Sequence, residues 1–413
     1  MRDEKYLVGF KKFAPWVDQA FVSAGSFLTI IICANLFSPE EQGKLSYVIS
    51  IYLALCVINS TFIFQTASVQ APIVADKTAY ISTLVCLQII IASIGSSFGI
   101  IALVWISSVS GWNLSLSERL AIGIFYILQQ LYDFERKIAY IKFNTTRAAM
   151  IGMIGTLIRI GLLILLKPTS CSVACIYLAA GALYPAMKVI WDFVKCADPF
   201  KLAATYLNQQ TSSSRWLMAS APLVWVVSAI PTFAVGIVGT LQYAGIFFTI
   251  RSLSNVANVF MELLETTVSA SAGSYYVSDK EKLFSMLRKI RKLGLAVWIV
   301  VVILFYFYGE LLLNFIYGQI YVGGVTILLI FWLGIGFTFL YRVKSVELRT
   351  TGEGKTVTLG YLVALIVTAA LAYPLVNLYG VQGGAWTFSI SVMINYLAQK
   401  FFCKPHFLST LRY

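Results

Sequence analysis

A chain of 413 residues that is 59% hydrophobic and only 12% charged, with a mean hydropathy of +0.81, lies far from soluble domains, which carry about 25% charged residues. That composition excludes a globular enzyme of this length. A formal net charge of +13 would fit nucleic acid or membrane topology, and the placement of the basic residues decides between them.

Twelve apolar stretches of about 20 residues, the length a helix needs to cross the hydrocarbon layer, fill the chain almost end to end. They are predicted at 16–36, 45–66, 79–107, 119–138, 146–166, 171–193, 213–235, 241–268, 293–315, 320–341, 356–375 and 379–402. Helices are the choice for such stretches because a membrane leaves no water to satisfy the backbone. With both termini in the cytoplasm, 26 of the 31 Lys and Arg residues fall at inner segments or inner span ends. Lys44, Arg119 and Lys167 lie outside, while Arg159 and Arg251 lie within spans. This asymmetry is the positive-inside bias of short loops, so the charge is topogenic and does not indicate nucleic acid.

The first stretch follows Lys11 and Lys12, but Asp18 and Gln19 interrupt it and no small-residue cleavage site follows. It reads as a retained first span, not a signal peptide. Gln19, Ser23 and Ser26 form a polar stripe on it, with Asp18 on the flank. In the fifth span Gly152, Gly155, Thr156 and Arg159 share one face, and small residues there permit close helix approach. A polar break at 194–212 separates six spans from six, giving an N-terminal bundle at 1–194, a cytoplasmic linker at 195–212 and a C-terminal bundle at 213–413.

In the eighth span Arg251, Ser254, Asn255, Asn258, Glu262 and Glu265 follow helical steps that place them on one narrow face. Charges inside a membrane are costly and usually face a bundle interior or a wet cavity. Arginines on polar or small-residue faces of both halves therefore suggest a cationic cavity suited to an anionic diphosphate. A locking ion pair of Arg251 with Asp18 or Glu310 is the structural alternative. The basic stretch 280–292, with Leu283, Phe284, Leu287 and Ile290 on its apolar side, reads as a membrane-surface helix between spans. Trp16, Trp105, Trp112 and Trp191 fit interfacial belts.

Motifs for catalysis fail their context. The stretch 351–356 ends like a phosphate-binding loop but has Arg349 where a glycine is required, and no strand precedes it. His406 is the sole histidine, so no histidine-based triad can be assembled. The seven cysteines are scattered and suit packing, not metal ligation. No metal, cofactor or catalytic residue is expected.

Several segments together resemble the polysaccharide transporter family, the flippases of lipid-linked O-antigen and capsule repeat units in the multidrug/oligosaccharidyl-lipid/polysaccharide exporter superfamily. They are Asp18-Gln19 with residues 36–43 (LFSPEEQG), Tyr132-Asp133-Phe134-Glu135-Arg136-Lys137, residues 348–352 (LRTTG) and residues 379–386 (YGVQGGAW). The resemblance implies twelve helices in two six-helix bundles around a V-shaped cavity, working by alternating access. It implies a bacterial inner-membrane protein that moves undecaprenyl-diphosphate-linked oligosaccharide from the cytoplasmic to the outer leaflet, with an ion gradient as the driving force. Membrane lipid, a glycan polymerase and a chain-length regulator are the implied partners. On position, Arg159 and Arg251 would neutralise the diphosphate; Gln19, Ser254, Asn255 and Asn258 would hydrogen-bond the head group; Asp18, Glu262 or Glu310 would carry the coupling ion. A multidrug or cation extruder shares the fold but should concentrate buried carboxylates. A membrane glycan polymerase or ligase should show a long outward loop, and none is predicted.

Overall fold

The computed structural model describes residues 2–64, 67, 76–142, 144–195, 215–351 and 353–403; along 2–12, 215–221 and at several positions of 262–277 it describes the backbone alone. Among these residues every element is helical. In chain order they are α1 (Arg2–Leu36), α2 (Pro39–Asn59, running on through a wide turn at Ser60–Phe64), α3 (Lys77–Val109), α4 (Leu116–Ile141), α5 (Thr145–Leu166), α6 (Cys171–Ala180), α7 (Leu183–Val194), α8 (Arg215–Ala234, ending in a wide turn at Val235–Gly239), α9 (Leu241–Ser278), α10 (Lys280–Tyr317), α11 (Val325–Thr350) and α12 (Gly354–Phe402).

Among the described residues helices cover the twelve predicted stretches, with two departures from straight helices. The sixth is bent by 64° between α6 and α7. The last two are joined within α12, where Gly380 takes φ 55° and ψ −129°, a backbone conformation open to glycine. Among the described residues eight helices are apolar and long enough to cross a membrane on those grounds alone, or nine if the bent pair counts as one. Polar residues keep α4 and α9 below that test: α4 holds Glu118, Arg119, Asp133, Glu135, Arg136 and Lys137, and α9 holds Arg251, Glu262 and Glu265.

Local chemistry sets the helix ends. Ser38 precedes Pro39 and accepts the Glu41 N–H at 3.3 Å, and proline is well suited to a first helical turn. Ser115 and Glu118 form a reciprocal capping box at the start of α4. Thr240 caps α9 and Asp279 caps α10.

The chain divides into two compact units, Met1–Met218 and Ala219–Tyr413. The expected linker lies, apart from Lys195, outside the described residues. Within the first unit α1 lies along α5, and α4 is the central helix, touching α2, α3, α5, α6 and α7. Leu84, Phe134, Ile138, Ala186 and Val189 build a core between α3, α4 and α7. Within the second, α11 is central, against α9, α10 and α12.

Residues 280–292 are not a separate surface helix; they are the first turns of the continuous 38-residue α10. Leu283 and Leu287 pack against Val268 and Ala272 of α9 and Phe339, Val343 and Val346 of α11. The apolar side thus faces protein, not lipid. Arg291 donates to Glu347, which also binds Lys344 at 2.6 Å. Trp112 likewise departs from an exposed belt: it is buried, with Lys44 Nζ 5.6 Å from its ring, whereas Trp16, Trp105 and Trp191 are exposed.

Candidate functional site

The first unit carries its membrane charges in closed groups centred on α4. Asp18 of α1 is buried, and its Oδ2 accepts from Arg136 Nη1 at 2.8 Å and from the Tyr140 hydroxyl at 2.6 Å. Gly152 of α5 makes room for this carboxylate, since a Cβ there would overlap Asp18 Oδ1. Asp133, one turn before Arg136, accepts from Tyr52 and from the Cys56 thiol at 3.5 Å and lies 3.7 Å from Arg136 Nη2. Glu135 binds Arg147 at 2.6 Å and Lys188 at 2.8 Å. Each of these carboxylates therefore has a cation or acidic proton against it. This network was not expected from the sequence, where Arg136, Arg147 and Lys188 counted as topogenic charge. The available signal was the density of charge in the Tyr132–Lys137 segment of an otherwise apolar span.

Arg159 of α5 is different. Its guanidinium carbon lies 4.0 Å over the Tyr132 ring, and Nε and Nη2 are buried without a hydrogen-bond partner among the described residues. Glycines make the space. A Cβ on Gly181, at the bend between α6 and α7, would sit 2.5 Å from Arg159 Cγ and 2.6 Å from the Gly155 carbonyl oxygen. The Tyr132 ring in turn packs against Gly155. The side chain turns back along α5 onto Tyr132, as helical side chains lean toward the N-terminus. Gln19 donates to Ser23 at 3.3 Å on the half-buried face of α1.

In the second unit the residues read from the spacing of α9 differ in their surroundings. Arg251 Nη1 donates to the Ser228 carbonyl at 2.6 Å and to the Thr232 hydroxyl at 3.1 Å, both on α8. Pro231 stands between these acceptors in sequence, and a mid-helix proline disturbs the hydrogen bonding of the turn before it. The guanidinium carbon lies 5.2 Å from the Phe388 ring of α12. No carboxylate pairs with Arg251 among the described residues. Ser254 Oγ is buried and unpartnered, Asn258 donates to Asn255 at 3.2 Å, and Asn255 is exposed. Glu310 is exposed on α10. The side chains of Glu262 and Glu265 lie outside the described residues. Of the two carboxylates offered as locking partners for Arg251, Asp18 is taken by Arg136.

The arrangement offers two membrane-embedded guanidinium groups, one per unit, resting on aromatic rings and held by neutral neighbours. Such groups retain free hydrogen-bonding capacity for an anion.

No family model matches the chain. It is similar to the capsular polysaccharide biosynthesis protein CapF of Staphylococcus aureus, 23% identical over 401 residues that cover 92% of this chain and 95% of that protein. Among solved structures, an inward-facing multidrug resistance MATE family transporter of the MOP superfamily aligns with a TM-score of 0.75 at 12% identity, covering 93% of this chain and 94% of that one. The lipid II flippase MurJ in an inward closed conformation aligns with a TM-score of 0.66 at 17% identity, covering 95% and 87%. A MOP superfamily transporter from Pyrococcus furiosus gives 0.60 at 13% identity, covering 94% and 93%. The chain therefore has the fold of the MOP superfamily transporters and, over nearly its whole length, resembles a protein of capsular polysaccharide biosynthesis.

Proposed function

We propose that this multi-pass membrane protein is a transporter, not an enzyme, that flips undecaprenyl-diphosphate-linked oligosaccharide from the cytoplasmic to the outer leaflet of a bacterial inner membrane by alternating access. The observation that carries this reading is the unequal treatment of charge. Asp18, Asp133 and Glu135 are all engaged by protein groups, whereas Arg159 and Arg251 have no ion pair among the described residues. A cation extruder needs buried carboxylates without cationic partners, and Asp18, Asp133 and Glu135 each lie against a cation. A diphosphate needs guanidinium groups that no carboxylate neutralises, and each unit has one among the described residues.

Arg159 and Arg251 are accordingly assigned to the diphosphate. Gln19, Ser254, Asn255 and Asn258 are assigned to polar contacts with the head group, and the unpartnered Ser254 hydroxyl supports that role. Ion coupling is assigned to Asp18, Glu262 or Glu310. Asp18 has the best support of the three, being buried with an Oδ1 that lacks a hydrogen-bond partner. The basic-residue asymmetry supports a cytoplasmic location for both termini. A glycan polymerase that consumes the flipped unit, with a chain-length regulator, is the partner class this reading suggests.

The test is delivery of glycan to the cell surface with membrane insertion measured in parallel. Arg159→Ala and Arg251→Ala should each insert normally and lower surface glycan at least about tenfold, which corresponds to roughly 1.4 kcal/mol. Arg251→Lys should recover only part, because a lysine ammonium cannot bond Ser228 and Thr232 through one nitrogen while leaving further planar N–H groups for an anion. Normal surface glycan in both alanine variants, or robust export of lipophilic cations, would reject the proposal.

A further inference from the structure

The two halves of α12 pack against each other on either side of Gly380. Thr368 donates to Ser391 at 2.6 Å, and Gly360 lies against Asn395 and Gln399. Beside this seam runs an open groove of about 710 Å³, with Val363 on one wall and Ile394, Leu397 and Phe401 on the other. That volume falls in the range of about 300–1,000 Å³ found for ligand sites. Leu397 and Phe401 are exposed, at 46% and 83%, so the groove opens on the outer surface of a helix that spans the membrane. Lys400, in the last turn of α12, is the one charged side chain in its lining among the described residues and is itself exposed.

Depth fixes what can lie there. Val363 is nine residues into α12, and Ile394 is eight residues before its end at Phe402. At 1.5 Å per residue both walls reach about 12–13 Å from the helix ends. The groove therefore starts near the helix ends, beside a cation, and continues along the helices as an apolar trough. A molecule matching both parts has an anionic head and a hydrocarbon chain. The nearby Lys344 does not compete for the head, since Glu347 holds it at 2.6 Å.

We propose that this groove is a binding site for an anionic phospholipid of the leaflet at this end of the protein, its phosphate against Lys400 and one acyl chain along Val363, Ile394 and Leu397. The site is separate from Arg251 and stands whatever the cargo is. A bound lipid here would tie the last helix to its predecessor and make transporter stability depend on leaflet charge.

The full chain would be reconstituted in vesicles of equal parts phosphatidylglycerol and phosphatidylcholine with a trace of phosphatidylglycerol carrying a photoreactive acyl chain. Adducts are expected on Val363, Ile394 or Leu397, and extra phosphatidylglycerol should compete for them where phosphatidylcholine does not. Lys400→Glu should reduce adduct yield about fivefold or more, the equivalent of losing ~1 kcal/mol of attraction at a charged surface. Leu397→Trp should fill the trough and remove the adducts. The proposal is overturned by unchanged yield in both variants, by equal competition from phosphatidylcholine, or by a polyprenyl diphosphate that displaces phosphatidylglycerol at lower concentration.

Discussion

Replacing Arg136 by Ala would strand the Asp18 carboxylate. That side chain is 1% exposed and meets the guanidinium at 2.8 Å; its other donor is the Tyr140 hydroxyl. Removing one member of a buried ion pair costs about 3–5 kcal/mol, because the other charge stays buried without compensation. The reverse change is milder. Asp18→Asn keeps the volume beside Gly152, and Arg136 retains Asp133 at 3.7 Å, so the loss is about 1–3 kcal/mol for one charged hydrogen bond. The double variant no longer strands Asp18 and should be more stable than Arg136→Ala alone. Denaturant unfolding of the purified protein in mild detergent, run as a double-mutant cycle, measures all three differences. Arg136→Ala within about 1 kcal/mol of the parent, or Asp18→Asn as the more damaging change, would refute this account.

Two further outcomes follow from the geometry. Gly380→Ala forces a Cβ onto φ 55° and should cost about 1–3 kcal/mol, read as a lower Tm without loss of membrane insertion. Tyr132→Leu should reduce surface glycan by removing the ring beneath Arg159, a contact worth about 0.5–2 kcal/mol; Tyr132→Phe, which keeps the ring, should restore most of it.

The spans were legible because apolar stretches of membrane length, repeated along a chain this poor in charge, suit no setting but a bilayer. The polar face of α9 was legible because Arg251, Ser254 and Asn258 recur at helical spacing. What faces those residues was not. Ser228 holds Arg251 through its backbone carbonyl, a group every residue possesses, and only Pro231 hinted at a disturbed turn. The Asp18–Arg136 pair joins residues 118 positions apart, and an arginine near a span end looks the same in sequence whether it is topogenic or paired. Residues 280–292 misled for a related reason: an amphipathic helix has the same periodicity whether its apolar side meets headgroups or, as here, α9 and α11.

The bend between α6 and α7 bears on how the chain enters the membrane during synthesis. The segments have 10 and 12 residues, roughly 15 Å and 18 Å of helix at 1.5 Å per residue, so neither alone reaches across a hydrocarbon layer of about 30 Å. For the pair to cross as one span, the insertion machinery must accept them as one continuous apolar unit despite the 64° angle between them. A nascent chain released between Ala180 and Leu183 would leave the first of these segments too short to anchor, which makes this crossing the step of biogenesis most dependent on what is translated next.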